Sequence, residues 1–116
     1  MKCIVGFGLI VLLPCAAEAA SLPKRMLGVW ATDPAACSEQ ASEIKMTVEP
    51  RTVLMYEVAY TVKRIVRLRD GFLRVSGDSV TDDGRAPHSV LLKLVGDKLQ
   101  VGKTDGQIYR RCPKSR

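Results

Sequence analysis

From residue 44 onward the chain alternates apolar and polar side chains, and small turn-forming pairs cut the alternation at short intervals. A period of two sends successive side chains to opposite faces of an extended strand, which suits a half-buried sheet and not a helix. Ile44, Met46 and Val48 share one face, and Pro50 ends that strand. Residues 52–69 put Leu54, Tyr56, Val58, Tyr60, Val62, Val66 and Leu68 on one face, with Val53, Met55 and Ile65 opposite and Arg64 breaking the pattern. Strands usually run to about 5 or 6 residues, so this stretch divides near residues 57–59. Asp70-Gly71 is a hairpin signal that sets Leu68 against Leu73, Val66 against Val75 and, on the outside, Arg67 against Arg74. The polar residues 77–87 read as an exposed loop. Beyond them Val90, Leu92 and Leu94 pair across Gly96-Asp97 with Leu99 and Val101, and Asp105-Gly106 makes the last turn.

Strands are thus expected at 28–31, 43–48, 52–57, 60–69, 72–77, 88–95, 98–103 and 107–112. Asp33 ahead of Pro34 is an N-cap followed by proline at the first helical position, which predicts a helical turn over 34–41. The expected fold class is all-β: a small antiparallel up-and-down barrel or curled meander of about eight strands, with a short N-terminal helical turn and one disulfide. Closing the meander would remove its exposed edges.

The N-terminus adds a compartment. Lys2 precedes an apolar run from Ile4 to Leu13 and the helix-breaking Pro14, and Ala17 and Ala19 fit the small-residue rule of a signal peptidase site. Residues 1–19 are therefore expected to be a cleavable signal peptide and residues 20–116 one small domain, periplasmic or secreted. The apolar run is half the length that spans a bilayer, so no transmembrane anchor is expected after cleavage. A rival reading lipidates Cys15, although Pro14 stands where a lipoprotein box carries a small residue. Cys3 and Cys15 leave with the signal, and Cys37 and Cys112 remain as an even pair in an oxidising compartment, the setting of a disulfide. The net charge of +6 is unchanged by the loss of Lys2 and Glu18. It favours an anionic envelope component or an acidic protein surface as partner, while export argues against nucleic acid.

The residues that could carry chemistry are few. His88 is the single histidine, set beside Pro87 at a strand start with no ligand-spaced company, so it reads as an exposed strand-end side chain and no metal is expected. Asp82-Asp83-Gly84 lacks the alternating acids of a calcium loop and reads as a solvated turn. Ser76 and Ser79 are not in a nucleophile elbow, and no glycine-rich phosphate motif is present. No cofactor and no catalytic residue is expected, so the chain reads as a binding protein and not an enzyme. Lys63, Arg64, Arg67, Arg69 and Arg74 form the most suggestive surface group, either an anion or partner site or a solvated face neutralised by a carboxylate such as Glu57. Tyr56 and Tyr60 read as core fillers.

Gly28-Val29-Trp30 near the mature N-terminus, with Arg110-Arg111-Cys112 at the end, resembles the lipocalin-like (calycin) barrels. The resemblance implies that Trp30 closes one end of the barrel and a late arginine packs across it. Which arginine depends on the last turn. Two residues align Val101 with Arg110, whereas three align Val101 with Tyr109 and turn Arg111 inward. Arg111 with Tyr109 is the expected inward pair, because Tyr109 buries more apolar area than Ile108. The run from Leu27 to Pro34 with Cys37, and the terminal Arg-Cys, also resembles small exported proteins of Gram-negative bacteria, which brings no function with it. Periplasmic inhibitors of serralysin-type metalloproteases are similar in size and in the G-x-W followed by cysteine, though their second cysteine lies in mid-chain. That likeness implies an inhibitory segment at Ala20, Ser21, Leu22 and Pro23. The expected functions are, in order, an envelope-associated binding module using its basic outer face or barrel mouth, a protease or lysozyme inhibitor, and a small-ligand carrier.

Overall fold

The computed structural model describes residues 20–38, 44–104 and 106–113. The expected signal segment with Cys15, the end of the helical turn at 39–41, the strand start at 43, and Asp105 of the last turn lie outside the described residues. Among the described residues nine strands follow one another: β1 (Gly28–Ala31), β2 (Lys45–Glu49), β3 (Thr52–Met55), β4 (Val58–Thr61), β5 (Arg64–Arg67), β6 (Leu73–Thr81), β7 (Gly84–Val95), β8 (Lys98–Val101) and β9 (Gln107–Arg111). Each of β1 to β3 pairs antiparallel with the next, β4 continues onto β6, and β6 to β9 again pair in order. Trp30 opposite Arg111 and Ala31 opposite Arg110 join β1 to β9. The result is a closed eight-stranded antiparallel barrel with β5 as one extra strand, held along the outer edge of β6. A 3-10 turn at Pro34–Ser38 is the helical turn expected there, started by Asp33, whose Oδ1 accepts from the Ala35 N–H at 3.0 Å.

Two parity changes separate the observed core from the expected one. The β3–β4 hairpin turns through residues 56–57, with Met55 opposite Val58 and Glu57 at φ 62. Val53 and Met55 therefore face inward with Val58 and Tyr60, while Leu54 and Tyr56 face water. Tyr56 is 44% exposed and is not a core residue. The second change is a bulge. Tyr60 pairs with Ser79 but Arg64 pairs with Ser76, so Val62 and Lys63 together oppose Gly77, and inward facing passes from Val62 to Ile65. The expected single strand 60–69 is in fact β4 and β5 either side of this bulge, and Arg64 breaks the alternation because the bulge resets it.

The β5–β6 turn also differs. Leu68 N–H donates to the Phe72 carbonyl at 2.8 Å and Gly71 N–H to the Leu68 carbonyl at 3.1 Å, which makes a three-residue loop with Gly71 in the left-handed region at φ 92. The register consequently shifts by one. Val66, and not Arg67, stands opposite Arg74, and Arg67 stands opposite Leu73.

Residues 77–87 are not a loop. The ladder between β6 and β7 runs from Leu73 opposite Leu92 to Thr81 opposite Gly84, turning through residues 82–83. Glycine, aspartate and proline are poor strand formers, and each is tolerated for a local reason. A Cβ on Gly77 would fall 1.8 Å from the Thr61 carbonyl oxygen, so only glycine lets β6 approach β4 and close the barrel. Asp78 holds two cations. Pro87 lies on the edge of β7 that turns, like Leu91, toward the β8 side, beyond the end of β8, where no ladder bond needs its missing N–H.

The interior is filled by Trp30, Leu92, Leu99 and Val48, the largest fully buried side chains. A small second core on the outside of β1 joins Ala31, Ala36 and Cys112, beside the Cys37–Cys112 disulfide.

Candidate functional site

One end of the barrel is shut. Trp30 is completely buried and its Nε1–H donates to the Met26 carbonyl at 3.0 Å. The Arg111 guanidinium carbon lies 4.2 Å from the Trp30 ring centre, while Nη1 donates to the Leu27 carbonyl at 2.7 Å and Nη2 to the Arg25 carbonyl at 2.6 Å. Gly28 makes the space for this: it sits at φ 127, and a Cβ there would lie 2.9 Å from Nη1. The last hairpin sets Val101 opposite Gln107 and Leu99 opposite Tyr109. The expected partner of Val101 was two residues further along, an even difference, so Tyr109 and Arg111 still face inward.

The stretch ahead of β1 belongs to this plug. Leu22 and Met26 are both buried in the main core, and Leu22 N–H donates to the Pro50 carbonyl at 2.8 Å. Ala20 packs against the same core, so the segment Ala20 to Pro23 lies against the barrel and does not project from it.

Beyond Trp30 the interior is not filled. A cavity of about 230 Å³ is walled by Met46, Val53, Met55, Val75 and Val90, and Tyr60, Thr61, His88 and Tyr109 are the polar side chains among its lining residues. His88 stands inside β7 opposite Gly77, half-buried, with its ring centre 4.3 Å from that of Tyr60. It is not the exposed strand-end histidine expected from the sequence. Had residues 77–87 been read as a hairpin about Asp82-Asp83, the alternation of Val90, Leu92 and Leu94 would have carried His88 to the inner face with them. Burial pushes the Tyr109 hydroxyl above its ordinary pKa, and the nearby Tyr60 adds to the effect. Tyr109 is therefore a neutral hydrogen-bonding group at physiological pH, and its hydroxyl has a single long contact, 3.4 Å to Gln107 Oε1. Among the described residues no group of histidine, cysteine and carboxylate side chains could hold a metal ion.

The basic residues divide. Lys63 pairs with Asp78 at 2.8 Å, and Arg85 joins the same carboxylate at 3.1 Å, which lowers the Asp78 pKa through both hydrogen bonds. Lys103 pairs with Asp70 at 2.6 Å and lowers its pKa in the same way. Glu57 neutralises none of them: it occupies the β3–β4 turn. Arg64, Arg67, Arg69 and Arg74 are all exposed, and among the described residues none has a carboxylate within ion-pair distance.

Compared with known proteins, the chain matches no family model, no curated protein and no solved structure.

Proposed function

We propose that this is an exported, non-enzymatic binding protein whose ligand site is the cavity beyond Trp30, and that its ligand is a small apolar molecule or the apolar end of a larger one. The cavity carries this reading. Its walls are mostly aliphatic and thioether side chains, and its few polar side chains carry hydroxyls and one imidazole, the pattern of a site that holds an apolar body and orients one polar group. The volume sets a limit, because about 230 Å³ falls below the roughly 300–1,000 Å³ of sites that enclose drug-sized ligands. Export is supported by the N-terminal run and by the Cys37–Cys112 pair. The packed position of Leu22 favours this reading over an inhibitor with a free N-terminal probe.

Titration with the neutral fluorophore N-phenyl-1-naphthylamine tests it. Saturable binding at one site, displaced by straight-chain alcohols and lost in Val90→Phe, which narrows the cavity, is the expected result. No saturable binding, or unchanged binding in Val90→Phe with the fold intact, would refute it.

A further inference from the structure

The observed register rearranges the basic group into something the sequence did not suggest. On the outer face of β5, β6 and β7, Arg74 lies between Val66 on one side and Leu91 on the other. In the neighbouring row Leu68 lies opposite Phe72. Arg64 is one step further along β5, on the same face as Arg74 and diagonal to it. Lys93 and Lys103 place their ammonium groups 5.4 and 5.6 Å from the ring centre of Phe72, which is itself buried. The face is therefore a short apolar strip, half-buried at Val66, Leu68 and Leu91, bordered by cations.

We infer that this face docks on a lipid bilayer carrying anionic headgroups. The inference is independent of what the cavity holds. Charge complementarity comes from Arg64 and Arg74, whose guanidinium groups have no carboxylate partner among the described residues, while Asp70 and Asp78 are already engaged by lysines and Arg85. Unpaired arginines exposed together attract phosphate, which they can bind bidentately. The apolar strip between them selects a bilayer over a soluble polyanion, because only the bilayer offers a hydrocarbon boundary immediately behind its charges. The edge strand β5 has no partner on its outer side, so nothing in the described fold blocks the approach.

Flotation of the exported form of the protein with vesicles of phosphatidylcholine, alone or mixed with phosphatidylglycerol, tests the inference. Partition onto the phosphatidylglycerol vesicles, weakened by salt, is expected. In Arg64→Glu/Arg74→Glu it should fall by about tenfold or more. The control Arg51→Glu/Arg110→Glu changes the net charge equally at exposed sites elsewhere and should be little affected. Leu91→Gln should weaken vesicle binding and leave retention on dextran sulfate unchanged. Intrinsic Trp30 emission checks that each variant is folded, and competition of the unmodified protein off vesicles by dextran sulfate gives a readout that needs no variant: vesicle binding should persist better than a purely ionic contact would. No partition onto anionic vesicles, equal losses in the two charge-reversal pairs, or an unaffected Leu91→Gln would overturn the inference. The last outcome would leave a soluble polyanion as the partner.

Discussion

Arg110 and Arg111 are neighbours in sequence and opposites in surroundings. Arg111 covers the indole of Trp30 and donates to two main-chain carbonyls, whereas Arg110 points outward from β9 opposite Ala31. Arg111→Ala should therefore destabilise the fold by about 1–2 kcal/mol, the range of a guanidinium on a largely desolvated ring. Arg110→Ala should be nearly silent. Urea unfolding followed by Trp30 emission measures both, and equal effects would contradict the closure described. The inward facing of Arg111 was legible because strand alternation repeats every two residues, so a turn misjudged by two leaves the face unchanged. His88 was not legible for the opposite reason. Asp78, Ser79 and Pro87 look like loop chemistry, and their compatibility with a ladder depends on cations and a free strand edge that only the assembled barrel supplies.

The bulge between β4 and β5 shows the same logic at the level of elements. One extra residue lets a single stretch of chain close the barrel against the far half of β6 and then run beside its near half as an outer strand. The closing contact is short, Ala59 opposite Val80 and Tyr60 opposite Ser79, and it depends on Gly77. Gly77→Ala should open this seam at a cost of about 1–3 kcal/mol, the range for forcing an extra carbon into packed structure. Amide exchange should rise first in β4 and the distal part of β6. Protection that stays even around the barrel would argue against the seam. Tight turns with their own glycines, such as Gly96-Asp97, were readable directly, with Val95 opposite Lys98 as expected. Bulges were not, because the extra residue carries no side-chain signature and shows only as an interruption, here Arg64, in an otherwise regular alternation.

For the molecule as a whole, the covalent link matters as much as the ladder. Cys37 and Cys112 are 75 residues apart, and their bond fastens the segment after β1 to the end of β9 beside the Trp30 plug. Replacing both with serine should lower stability by roughly 4 kcal/mol, if the effect is mainly that of closing a long loop in the unfolded chain. Thermal or urea unfolding of the double variant against the oxidised protein measures it, and an unchanged midpoint would show that the barrel needs no staple. The pairing also has a place in time. A chain made from its N-terminus exposes Cys37 long before Cys112 exists, and most of the intervening hairpins are local enough to form in that interval. The bond cannot form before Cys112 is made. It holds the end of the final strand beside the segment after the first, and a chain that stops short of Cys112 leaves Cys37 without this partner.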